Sequence, residues 1–436
     1  MKRLIGIAVA VVFLLAMAVS APVAASNEIN VPDDYTTIQE AVNNASPGNT
    51  IIVQAGTYEE QVVISTSNIT LIGEDGAILN GDTLGSETMG IRILASASGV
   101  TIKGFEILNY RFGILLDGSS DNLIEENEVS GCGLGDDLET IHSGISINGS
   151  SNNLIQKNEV SNCGAGINLF FASDENQVID NTVSGCGLMV GDDPETIRFG
   201  VGINTSSSSL VENNTVRDCG VGIDVHEADG NRISKNTISD CGLDDNLFPG
   251  INMNFSNNNL VENNEVFNCG MGIALSQTSG NNEVIENTIS SSSNSGIFVS
   301  NGSSDNLIEK NTISSTVGSG IVLETSNDND VLKNEVSTSS RDGIVVKRST
   351  GNLIEENDIS LSDGNGIGLG SSNDNYILKN KVSGSTLKGI AIYDSTGNLI
   401  EKNKVSDSGE EDLYDTSYPF ENTWEKNKPK PGFPVP

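Results

Sequence analysis

The chain has 436 residues, with 59 acidic against 23 basic side chains and a formal net charge of −36. Such a balance argues against nucleic acid as a partner and repels polyanions unless a divalent cation bridges them. Only 5% of residues are aromatic, which suits a thin aliphatic core rather than a large globular one.

Residues 1–25 place Lys2 and Arg3 before an apolar run that reaches Val19, followed by small residues up to Ser26. This is the layout of a secretory leader cut after Ala25, so the mature chain is expected to be secreted, at the cell surface or in the periplasm. An uncleaved anchor is the alternative, although the run is short for a span. No later stretch is apolar enough to cross a bilayer. Residues 26–98 read as an N-terminal cap and first coils. Within them Thr37-Ile38-Gln39-Glu40 forms a capping box opening a short helix, with Ile38, Ala41 and Val42 on one face.

Residues 99–408 are repetitive. Asn127, Asn158, Asn181, Asn214, Asn236, Asn264, Asn287, Asn311, Asn334, Asn357, Asn380 and Asn403 recur at a step that settles near 23 residues. Two apolar residues, such as Leu353 and Ile354, precede each Asn by four and three. Val or Ile follows by two, and a Gly-Ile pair then opens another short strand, from Gly113-Ile114 to Gly389-Ile390. Three short β-branched segments per period, separated by Asn, Gly and Ser, are too short for helices and predict an all-β parallel β-helix of about 12–13 coils. Stacked Asn amides can each donate to the next coil and accept from the last, so this column is read as structural.

Five residues after the Asn lies a second column: Cys132, Cys163, Cys186, Cys219, Cys241 and Cys269, continued by Ser292, Thr316, Ser339, Ser362, Ser385 and Ser408. A slot that accepts Cys, Ser and Thr is small and mostly buried. Stacked thiols, disulfides between neighbouring coils and metal binding all remain open. Residues 409–436 change character; Tyr414, Phe420 and Trp424 could close the last coil before a Pro-rich tail.

Three Asn intervals are long, 127–158, 181–214 and 236–264, and each excess falls between the Cys position and the Gly-Ile strand. The insertions carry Asp136, Asp137, Asp192, Asp193, Asp244 and Asp245, with Glu139 and Glu195 nearby. Coils two apart stack about 10 Å from one another, so the insertions would form an acidic wall. It reads as solvated loops, as a Ca²⁺ site built from hard oxygen ligands, with Asp136, Asp137, Asp192, Asp193 and Glu195 as candidates, or as a place of direct chemistry. Strand alternation assigns outward positions beside it to Ser146 and Asn148, Asn168 and Phe170, Asn204 and Ser206, Asp224 and His226, and Asn252 and Asn254. In later coils Phe298, Val322, Val345 and Ala391 take these places, and Phe298, Val322 and Val345 are expected to be exposed as a contact surface. Amides and a carboxylate in line, with an aromatic ring for a sugar face, suit a glycan; the plain alternative is the polar surface of any acidic solenoid.

The segment VPDDYTTIQEAVNNASPGNTIIVQAGTYEEQVVI at 31–64, GVTIKGFEI at 99–107 and the repeats together resemble the pectin-lyase-like right-handed parallel β-helix superfamily, and within it the NosD-type repeat proteins. The resemblance implies a right-handed solenoid whose substrate, in polysaccharide-active members, lies along the outer face of the Gly-Ile strand. The Gly-His-Gly and Arg-x-Lys strings of polygalacturonase-like members are absent, and Asp193-Pro194-Glu195 only echoes the epimerase string. A lyase would need a base and a cation to neutralise a uronate; Arg198, with His226 flanked by Asp224 and Glu227, supplies the candidates. The copper-handling role of some NosD-type proteins asks for Cys, Met and His. Here the only histidines, His142 and His226, would lie about 14 Å apart along the axis.

The sequence therefore reads as an exported parallel β-helix that binds a polysaccharide or cell-envelope glycan on its central coils, through Asn148, Asn168, Phe170, Asn204, Glu227, Asn252 and Asn254, with lyase-type processing as an extension. A non-catalytic surface rod and an accessory protein for metalloenzyme maturation are the alternatives.

Overall fold

A computed structural model describes residues 28–85, 88–133, 142–187, 199–242, 248–417 and 421–429. The leader reading at 1–25 falls outside them, as do Phe420 and the end of the tail. Among the described residues no helix is long and apolar enough to cross a membrane.

Each coil lays down three short strands, as in Leu353–Glu355, Asp358–Ser360 and Ile367–Gly370. Every strand pairs in parallel with its counterpart one coil away, giving three parallel sheets of 17, 15 and 15 strands. The result is a right-handed β-helix of about 16 turns, longer than the 12–13 coils expected. At about 4.8 Å per coil the rod is roughly 75 Å long. Counting Asn undercounts coils because the earliest ones carry none. The first acceptors, Asn122 and Asn127, take the N–H groups of Val100 and Phe105, apolar residues that hold the equivalent places one coil earlier.

Inward side chains alternate with outward ones. Ile354, Ile359, Ile367 and Leu369 are all sealed in the core of a single coil, each burial contributing about 1.5–3 kcal/mol. The corner between the first two strands turns on one left-handed residue immediately before the ladder Asn, for example Lys333 at φ 53° or Glu356 at φ 58°.

The Asn column forms a continuous hydrogen-bonded ladder. Asn311 Nδ2 donates to Asn334 Oδ1 at 3.0 Å and to the Val284 carbonyl at 2.8 Å, while its Oδ1 accepts from both the N–H and Nδ2 of Asn287. A second Asn ladder, five residues upstream, runs through Asn282, Asn306, Asn329, Asn352, Asn375 and Asn398 to Asn422. Buried Ser256, Ser279, Ser303, Ser349, Ser372 and Ser395 form a third column whose hydroxyls accept backbone N–H groups from the preceding coil. These ladders satisfy corner backbone that a strand cannot.

The helix at the N-terminal end spans Ile38–Asn44; Thr37 caps it through the Glu40 N–H, and Ile38, Ala41 and Val42 are buried. The Glu60 carboxylate accepts the free N–H groups of Ile38 and Gln39. At the other end Trp424 packs on the core and donates to Asp415 at 3.0 Å.

Candidate functional site

The outer face of the third sheet is set by its register. Ile145, Ile147, Ile167, Leu169, Ile223 and Val225 point into the core, so the residues between them face outward. Ser146, Asn168, Asp224 and Asn252 are nevertheless buried. They bond to neighbours rather than to solvent: Asn252 Nδ2 donates to Asp224 at 2.7 Å, and Asn204 Nδ2 donates to Asn168 Oδ1 at 2.9 Å. Burial raises the Asp224 pKa, opposed by the Asn252 hydrogen bond and the nearby His226.

One coil departs from the sequence assignment. Asn168 pairs with Gly202, and Phe170 with Asn204, so Gly200-Val201 rather than Gly202-Ile203 opens that strand. Asn204 therefore belongs to the outer column with Phe170, His226 and Asn254, and Ser206 is a buried corner residue. The reason is steric. Phe199 lies over position 202, where a Cβ would run into its ring, and it packs in a small apolar cluster with Ala165 and Val221.

That outer column is half-buried: Asn148, Phe170, Asn204, His226 and Asn254. Immediately beyond it, in the corner, comes a row of left-handed residues that includes Phe171, Thr205, Glu227, Phe255 and Gln277. Phe171 is 67% exposed and Phe255 46%. The Phe171 ring leans on Phe170 at 4.9 Å between centroids, and Phe255 meets the His226 imidazole edge-on at 5.8 Å. Three coil steps separate the two exposed rings, about 14 Å. The sequence reading took Phe170 and passed over both exposed rings. The available signal was a bulky apolar residue in a corner slot that otherwise holds polar residues.

The acidic wall residues Asp136, Asp137, Asp192, Asp193 and Glu195, and the candidate cation Arg198, lie outside the described residues. Asp224, His226 and Glu227 fall on one strand and its corner, with Asp224 sealed beneath. Farther along the same face, the apolar stripe expected to be exposed is instead covered in part: Val322 and Val345 are 8% and 5% exposed, and they floor a groove of 440 Å³.

All six cysteines are free thiols and buried, which closes the disulfide alternative for the column in this structure. Each leans on the carbonyl two residues earlier, as Cys163 does on Ser161 at 3.2 Å and Cys219 on Arg217 at 3.2 Å. Their spacing is single file within the core. His142 accepts from Arg111 at 2.7 Å and packs edge-on against Phe112. No three metal-binding side chains of the His, Cys, Asp and Glu types converge among the described residues. The described donors thus do not fit a copper centre: the thiols are sealed and collinear, and the imidazoles are apart.

Comparison with known proteins gives two family matches: "Periplasmic copper-binding protein (NosD)" over residues 42–140, 135–247 and 315–428, and "Right handed beta helix region" over 199–339. A cell surface glycoprotein of Methanothermus fervidus is 30% identical over 118 residues, which span 27% of this chain and 19% of the relative. Among solved structures, a double mutant of the periplasmic alginate epimerase AlgG aligns over 92% of this chain and 84% of its own at 16% identity and a TM-score of 0.48. An alginate lyase from Paenibacillus sp. aligns over 67% and 95% at 14% identity and a TM-score of 0.45. Those scores mark a distant likeness of shape and carry no functional argument.

Proposed function

Since the chain belongs to the NosD family of β-helix proteins, we propose that it is an extracytoplasmic β-helix rod that binds a glycan along the outer edge of its central coils. One observation carries the reading: Phe171 and Phe255 stand exposed in the same corner row, bracketing His226 and Glu227. Left-handed backbone costs a bulky residue on the order of 1–3 kcal/mol, and neither ring contributes to the solenoid core. Apolar rings held open at a fixed spacing, beside the half-buried amides of Asn148, Asn204 and Asn254, are the components of a sugar-binding strip.

Binding is favoured over catalysis. Asp224 is sealed and already hydrogen-bonded to Asn252, so it faces no substrate bond, and glycan cleavage normally needs two carboxyl groups on either side of one. Ca²⁺ held by Asp136, Asp137, Asp192, Asp193 and Glu195 is proposed as the bridge to any anionic glycan at these coils.

The test is a panel of neutral and acidic polysaccharides offered to the purified protein with and without Ca²⁺, recording binding and, by ultraviolet absorbance, unsaturated product. Binding without product supports the proposal. Product would instead establish a lyase and direct mutagenesis to Arg198 and His226. Silence across the panel would favour a second reading, a purely structural surface rod, which the likeness to a cell surface glycoprotein supports.

A further inference from the structure

The first sheet, to which Leu353–Glu355 belongs, carries an outward face unlike that of the second. In each strand the middle residue is sealed in the core, as Ile308, Val331, Ile354 and Ile377 are, so the two residues flanking it point outward. On the second sheet those outward positions are polar, as at Thr312 and Ser314 or Asp358 and Ser360. On the first sheet one of the two is a large aliphatic residue in almost every coil. Leu307, Leu332, Leu353, Leu378 and Leu399 follow one another on successive coils, alternating between the two columns. All five are half-buried, and Tyr376 beside them is 47% exposed. The pattern runs from Leu123 to Leu399 and is broken only in the coil of Arg232 and Ser234.

The carboxylates set among these leucines are neutralised by the next coil. Glu309 pairs with Lys333 at 2.8 Å, Glu355 with Lys379 at 2.7 Å and Glu401 with Lys426 at 3.2 Å. The five strands that begin at Leu307, Asp330, Leu353, Tyr376 and Leu399, each with the left-handed residue that follows it, hold five carboxylates and four lysines. That near balance stands out in a chain of net charge −36. Two copies of so acidic a protein repel one another over most of their surface. On this face the repulsion nearly cancels, and apolar area is left in water.

We propose that the first sheet is the surface on which two copies of this chain associate, rod against rod. The area suffices. Twelve coils at about 4.8 Å, by three residues at about 3.3 Å, offer about 600 Å² on each rod. A pair then buries about 1,200 Å², the lower limit of the range for specific interfaces. A two-fold axis along the strands reverses one rod against the other and sets like columns opposite each other, so that leucine meets leucine and the assembly closes at two. The third sheet lies on another side of the coil. Pairing therefore leaves the glycan strip uncovered and does not depend on it.

The experiment is sedimentation equilibrium over a range of protein concentrations on three proteins. They are the wild type, the Leu353→Glu/Leu378→Glu variant, and a Thr288→Glu/Thr312→Glu control that adds the same charge to the second sheet. The solenoid already carries glutamate in each of these columns, at Glu283, Glu401 and Glu335, and melting temperatures verify the fold. The wild type should rise from one monomer mass to two and no further. The leucine variant should raise the dimer Kd about a hundredfold or more, and the control should follow the wild type. A leucine variant that pairs as tightly as the wild type would overturn the proposal, as would an equal loss in the control. A mass that climbs beyond two would overturn the closed pair, and a wild type that stays monomeric would overturn the proposal outright and leave this face to a different partner.

Discussion

Asp224 on one coil accepts a 2.7 Å hydrogen bond from Asn252 Nδ2 on the next, and both side chains are buried on the outward side of the sheet. Burial is the largest influence on Asp224 and raises its pKa. A carboxyl whose folded pKa lies above its unfolded value of about 3.9 binds its proton more tightly when folded. Its charged form therefore destabilises the fold at neutral pH, and this is relieved as pH falls through the folded pKa. Asp224→Asn keeps an acceptor for Asn252 and should raise the urea midpoint at pH 7. That advantage should shrink toward pH 4, and a gain that grew on acidification would contradict the assignment.

Asn311→Ala removes four ladder hydrogen bonds and leaves the Asn287 N–H without its acceptor. A loss of about 2–5 kcal/mol is expected, measured by urea unfolding.

The thiol column gives way to serine after Cys269, and the change has a cost. The hydroxyls of Ser292, Ser339, Ser362, Ser385 and Ser408 are buried with no hydrogen-bond partner. Ser362→Ala should stabilise the protein by about 1 kcal/mol, visible as a higher melting temperature.

With all six cysteines free and buried, an aromatic disulfide reagent should find almost no reactive thiol in the native protein. It should titrate all six once the protein is unfolded without reductant. Fewer than six would restore the disulfide alternative.

The solenoid was legible because one Asn per coil fixes both a corner and a period. The neighbouring ladder was equally present in the same strings, since Asn352 opens NLIEEN as Asn357 closes it, but a single regular column already accounted for the repeat. The early coils escaped the count because Val100 and Phe105 stand where Asn stands later. The site was harder to read. Period-two alternation says which way Asp224 and Asn168 point but not that they are covered, and the Gly-Val-Gly-Ile run at 200–203 offers two registers that only the Phe199 ring decides. Which cations pair, as Lys333 does with Glu309, depends on coil-to-coil partners and has no signature along the chain.

The glycan-binding strip is tested most directly by titrating the saccharide bound best on the panel into the wild type and into a Phe171→Ala/Phe255→Ala variant, with melting temperatures measured alongside. Both rings are exposed, so the melting temperature should hold. Loss of two ring–sugar contacts, about 0.5–1.5 kcal/mol each, should weaken binding roughly tenfold. Equal affinity in the two proteins, with the fold intact, would contradict the strip.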